Sequence, residues 1–170
     1  MDPYVSLAKT SVESYVKTGK VCDIPEGLPS EMYDKRAGVF VSIHKTGGAL
    51  RGCIGTIYPV TSCIAEEIID NAVSASTRDP RFDPIIPSEL DSLVINVDVL
   101  TEPEEISSPD MLDPKRYGVI VTSGFKRGLL LPDLPGVDTV QKQIIIASSK
   151  AGITSDEKVS LMRFEVIRHT

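Results

Sequence analysis

Apolar positions along the chain repeat with two different periods, and the changes of period mark the elements. Residues 3 to 18 carry Tyr4, Leu7, Ala8, Ser11, Val12 and Tyr15 at helical spacing, with Pro3 in the first turn and Gly19 as a stop, so a helix is predicted there. Residues 20 to 36 hold Pro25, Gly27 and Pro29 and read as an irregular connection. Val39 to His44 then alternates, Lys45 to Gly48 supplies a turn, and Leu50 to Ile54 returns, which predicts a hairpin. Pairing Ile43 with Leu50, Val41 with Gly52 and Val39 with Ile54 puts every aliphatic on one face, and leaves Phe40, Ser42 and His44 on the other beside Arg51 and Cys53.

The second half continues in the same way. Ser62 to Ser76 has an inner stripe of Ile64, Ile68, Ala72 and Ala75, with Ser62 as the expected cap. After a charged, Pro-rich loop from Thr77 to Pro87 comes a strand, Leu93 to Leu100, apolar along Leu93, Ile95, Val97 and Val99. Residues 101 to 116 are acidic and show no period. Tyr117 to Thr122 and Arg127 to Leu131 form a second hairpin around Ser123 to Lys126, and a third helix spans Thr139 to Ala151 with Asp138 and Gln141 as its capping box. A last strand runs from Ser160 to Arg168. Helices and hairpins alternate without a βαβ rhythm, so the expected class is α+β with mostly antiparallel sheet and flanking helices. No internal repeat is visible in the sequence.

Composition narrows the function classes. The chain has 170 residues, 41% hydrophobic and 25% charged, an ordinary globular balance that fits one domain or two small lobes. A net charge of −6, with Lys126-Arg127 as a short basic cluster and no basic stretch interleaved with aromatics, works against nucleic-acid binding. Three cysteines, Cys22, Cys53 and Cys63, form neither an even set nor a CxxC, which fits reduced thiols in the cytoplasm and gives no zinc pattern. There is no signal-like N-terminal pattern, and no apolar run has the length of a membrane span. No Walker motif and no GxGxxG follows a strand, so no residue pattern names a cofactor.

The candidate chemistry centres on Cys53. A thiol becomes a nucleophile when a nearby cation stabilises its thiolate; Arg51 is two residues away and would share its face of a strand. Gly52 and Gly55 remove side chains and would let a ligand approach the backbone. The alternative is that Cys53 is a small core residue and the glycines relieve crowding. A Cys53–His44 dyad is disfavoured, because the expected pairing separates the two by roughly 13 Å of strand rise. His169, beside the terminus, is expected to fray. In the loop, Asp79 and Arg81 offer a proton acceptor and an anion clamp, or simply an ion pair with Phe82 as an apolar anchor. A reactive Cys53 should alkylate ahead of Cys22 and Cys63 at neutral pH.

Leu50-Arg51-Gly52-Cys53-Ile54-Gly55-Thr56 closely resembles the signature of the AMMECR family. The resemblance continues in order through Asp79 to Pro84, Arg127 to Pro132 and Lys150-Ala151-Gly152. Ser148-Ser149 stand where many relatives carry a cysteine, which puts any two-cysteine mechanism in doubt here. Residues 133 to 139 resemble the prokaryotic branch, where this domain is free-standing or the C-terminal part of a longer chain. The resemblance implies a single AMMECR domain over 1–170, built as two unequal α+β lobes with a groove between them. Arg51, Cys53, Asp79 and Arg81 would line that groove. It also implies partnership with a Memo-type protein and a radical S-adenosylmethionine enzyme in a pathway that modifies a small molecule or a protein. Whether the chain is itself an enzyme, or an adaptor that docks a partner, is left open by the resemblance.

Overall fold

A computed structural model describes all of residues 1–170, and the chain divides into two compact units: residues 1–100 with 167–170, and residues 101–166.

The first unit opens with α1 (Pro3–Thr18), as the spacing predicts; Asp2 caps it by accepting from the N–H groups of Tyr4 and Val5. A short α2 (Ser30–Asp34) lies inside the segment expected to be irregular, and its Met32 is fully buried. The hairpin β1 (Val39–Lys45) and β2 (Leu50–Gly55) follows. Then come α3 (Ile64–Thr77), a 3-10 turn over Pro87–Ser92, and β3 (Leu93–Leu100). With β8 (Val166–His169) these strands form a sheet ordered β2-β1-β3-β8. Val39, Val41 and Ile43 lie opposite Val99, Val97 and Ile95, and this apolar face packs with α1 and α3 into the main core.

The hairpin register differs from the expected one by two residues: Val41 faces Ile54, Ile43 faces Gly52, and Ser42 faces Cys53. A shift of two preserves which side chains share a face, so the aliphatic pattern could not distinguish the two pairings. A bulge between Ile43 and His44 sets Leu50 opposite His44, which takes Leu50 off the buried face and leaves it 38% exposed. Ser62 is not the helix cap. Cys63 occupies that position without a side-chain bond, while Ser62 donates to Glu66 from its N–H and hydroxyl.

The second unit contains β4 (Glu104–Ile106), β5 (Gly118–Ser123), β6 (Lys126–Leu130), α4 (Val140–Lys150) and β7 (Ser160–Phe164), with the sheet ordered β4-β7-β5-β6 and α4 packed on β5 and β6. Gly124 takes the left-handed conformation that the β5–β6 turn requires, at φ 60°. Thr139, not Asp138, caps α4 by accepting from the N–H of Lys142. The single strand expected over 160 to 168 is two strands in two sheets, divided at Glu165. There the backbone N–H bonds the Thr101 hydroxyl and the carbonyl accepts from the Thr101 N–H. Alternation continues across the break, which is why sequence period alone does not reveal it. The terminus is not frayed either: His169 stacks on Tyr4 with centroids 3.8 Å apart, and its Nδ1 lies 2.8 Å from Asp2.

Candidate functional site around Cys53

All six residues singled out in the sequence fall within the first unit, and the structure sorts them into three groups. Cys53, Asp79 and Arg81 form one cluster. Cys53 is half-buried on β2, its sulfur 3.1 Å from the Ser42 hydroxyl across the hairpin. Its N–H donates to Asp79 Oδ2 at 3.0 Å, and its carbonyl accepts from Arg81 Nη2 at 3.2 Å. Asp79 in turn accepts from the backbone N–H of Arg81 (3.1 Å), from Nε (3.0 Å) and from Nη2 (2.7 Å). Because β2 is an edge strand, its outer backbone groups have no strand to bond. Asp79 and Arg81 supply the acceptor and donor that a neighbour would have offered.

Electrostatics follow from this clamp. The Arg81 guanidinium holds the Asp79 carboxyl down at about 2, against the pull of its burial and with help from the N–H groups of Cys53 and Arg81. Arg81 is correspondingly raised by Asp79. The Asp79 side chain is 2% exposed and that of Arg81 is 55% exposed, so the cation alone reaches solvent. For Cys53 the largest influence is burial, which pushes the thiol up; the Ser42 hydrogen bond and the charge of Arg81 only partly oppose it.

Arg51 is the second group, and it is not with the thiol. It is buried, pairs with Glu89 through Nε (2.8 Å) and Nη2 (3.1 Å), and donates from Nη1 to the Asp83 carbonyl at 2.9 Å. It therefore ties the loop after α3 and the following 3-10 turn to β2, and the cation that acts on Cys53 is Arg81 instead. Gly52 and Gly55 are the third. A Cβ on Gly52 would overlap the Ala75 carbonyl of α3, and one on Gly55 would enter the Phe40 ring. Both close approaches are made by the protein's own groups.

The actual register places His44 two residues from the partner of Cys53, roughly 7 Å of rise instead of 13. The sulfur nevertheless meets the Ser42 hydroxyl, not the imidazole. Two participants escaped the sequence reading: Ser42, and an ion pair in which Arg168 holds Asp98 through both oxygens at 2.7 and 2.8 Å. Asp98 is 1% exposed, lies opposite Phe40 in the sheet, and adds to the upward push on the thiol. An aspartate inside the apolar run of β3 signals a required partner, but a partner 70 residues away lies beyond local pattern.

Two antiparallel sheets with flanking helices, and an arginine–aspartate clamp beside a half-buried thiol, define the class of protein. The chain belongs to the AMMECR1 family, which matches residues 5–169. A Thermotoga maritima protein is 52% identical over 168 residues, covering 98% of this chain and 97% of the relative. A Clostridium acetobutylicum protein is 53% identical over 169 residues; the match covers 99% of this chain but only 36% of that longer relative. The crystal structure of an uncharacterised protein from Pyrococcus horikoshii superposes with a TM-score of 0.91 at 34% identity, covering 98% of this chain and 89% of the other. No helix is long and apolar enough to cross a membrane.

Proposed function

We propose that this AMMECR1 domain works in a modification pathway beside Memo-type and radical S-adenosylmethionine proteins, and that it binds an anionic group of a small-molecule or protein substrate at Arg81, next to Cys53. The observation that carries this reading is the clamp. A guanidinium fixed by an almost fully buried carboxylate, yet itself half exposed, is a pre-set anion contact with its ordering cost already met within the fold. Of the two roles open to Cys53, nucleophile or ligand contact, burial favours the second, since it lowers the thiolate fraction at neutral pH. Asp79 positions both residues, and Arg51, Gly52 and Gly55 hold the strand that presents them.

Screening the purified protein for bound metabolites, with Cys53→Ala and Arg81→Gln alongside wild type, tests this. Loss of one anionic ligand from both variants is expected, while retention in Arg81→Gln removes the proposal. Alkylation of Cys53 faster than Cys22 and Cys63 would return the nucleophile role. One observation favours the adaptor reading: Phe125, at the tip of the β5–β6 hairpin, is 99% exposed. If docking is the function, Phe125→Ser abolishes partner binding and Cys53→Ser leaves it intact.

A further inference from the structure

A second feature of the first unit shares no residue with the Cys53 cluster. Between the extended segment after α1 and the first turns of α3 lies a concavity of about 440 Å³, lined by Val21, Cys22, Asp23, Ile24, Thr61, Glu66, Ile69 and Asp70. That volume is in the range occupied by small ligands. Its walls are of two kinds. Ile69 is 4% exposed and, with the partly buried Ile24 and Cys22, belongs to the edge of the main core, giving an apolar floor. Around it stand three carboxylates, and no basic side chain lines the space.

Those carboxylates are unequally satisfied. Glu66 Oε2 is held by the N–H and hydroxyl of Ser62 at 2.9 and 2.6 Å. Asp70, one turn later on the same side of α3, receives no hydrogen bond. Its carboxyl is raised by burial and by the charges of Glu67 and Glu66, with the more distant Arg78 opposing them. Like charges four residues apart on a helix repel, so the free protein carries a repulsion that a cation in the concavity would relieve. A bare metal ion is not the fitting cation, because no three of the His, Cys, Asp and Glu side chains converge to ligate one. Separated acids around an apolar floor match an extended organic cation instead.

We propose that this concavity binds an alkylammonium group, a primary amine on an apolar stem, with Asp23, Glu66 and Asp70 meeting the charge and Val21, Ile24 and Ile69 the stem. The amine is that of a free diamine or of a lysine side chain from another protein, two sources with the same chemistry. Titrating the full chain with cadaverine and with an acetyl-lysine amide, read by amide chemical shifts of residues 21–24 and 66–70, distinguishes them. Tighter binding of the lysine amide assigns a protein source, and the reverse assigns a free diamine. Saturable binding is expected, weakened at least about tenfold in Asp70→Asn and in Glu66→Gln but unchanged in Arg81→Gln. As a control on folding, Asp70→Asn itself should melt roughly 1–2 °C higher, since it removes the repulsion. Added cadaverine should raise the Tm of wild type and not of that variant. No saturable shift below about 10 mM, equal binding by Asp70→Asn, equal binding of the uncharged pentane-1,5-diol, or displacement by an equal concentration of Mg²⁺ would each overturn the assignment.

Discussion

Both units are built from a hairpin, a helix packed on it and a third strand beside the hairpin's first, giving β2-β1-β3 in one and β6-β5-β7 in the other. They also share three local devices. Gly52 and Gly128, each on the second hairpin strand, let a helix carbonyl, of Ala75 or Ala147, approach the strand. Gly55 and Gly118 each lie beneath a cross-strand phenylalanine, Phe40 or Phe164. The carbonyl just after each strand glycine accepts from a cation at the end of the helix or shortly beyond it: Cys53 from Arg81, and Leu129 from Lys150.

The units part company at the fourth residue of the helix. In α3 this is Glu67, 1% exposed, whose carboxylate accepts from the hydroxyls of Thr56 and Thr61 and from the N–H groups of Val60 and Thr61. In α4 it is Gln143, fully buried, which donates to the Tyr117 carbonyl at 2.7 Å and leaves its own oxygen without a partner. A buried charge is tolerated where donors surround it, and a buried amide is cheaper but leaves part of its capacity unused. The first unit therefore organises the loop that follows β2, the strand of Cys53, around a carboxylate. The second has no such ionic centre in its core.

The largest test of the shared plan is to fill the strand glycines. Gly52→Ala and Gly128→Ala should each cost about 3 kcal/mol or more, because the added carbon meets backbone that cannot move aside. Urea melts of both variants check this, and a small loss in either would mean that the helix–strand approach is looser than it is drawn. Next, Glu67→Ala should cost about 3 kcal/mol, since it orphans two threonine hydroxyls and two N–H groups at once. The same melts with Thr61→Ala as a milder neighbour would show whether the loop or the helix fails first.

Acid should act on the first unit ahead of the second. Burial alone would raise Glu67, but the hydrogen bonds from Thr56, Thr61 and Val60 outweigh it and the group is lowered. Asp79 is lowered to about 2. Carboxyls whose folded values lie below their unfolded ones contribute fully above about pH 4 and lose that contribution as pH falls through the folded values. For Asp79 the loss is about 2 kcal/mol. Hydrogen exchange between about pH 5 and pH 2 should show protection falling in β2 and α3 before β5 and α4. Simultaneous loss in both units would break the contrast. The smallest expected effect is Gln143→Leu, which removes an unpartnered oxygen while orphaning one carbonyl; a net change under about 1 kcal/mol in thermal melts is expected.

Period and punctuation determined most of the architecture. The helices at Pro3–Thr18, Ile64–Thr77 and Val140–Lys150, both hairpins and the apolar face of β3 are legible because one face of each must be buried, and burial imposes a repeat on the residues. The sequence also marked Cys53, Asp79 and Arg81 as a candidate cluster, through motif and residue chemistry. Tertiary structure alone decided the rest. The β1–β2 pairing slid by two without changing any face, Arg51 turned to Glu89, and the last strand broke at Glu165 into two sheets. Asp98 met Arg168 and Asp2 met His169 from opposite ends of the chain. Hydrophobic burial writes itself into local sequence, because every residue of a face reports it. A hydrogen bond or ion pair is a relation between two residues, and its choice among equally suitable partners is made only when distant segments arrive at the same place.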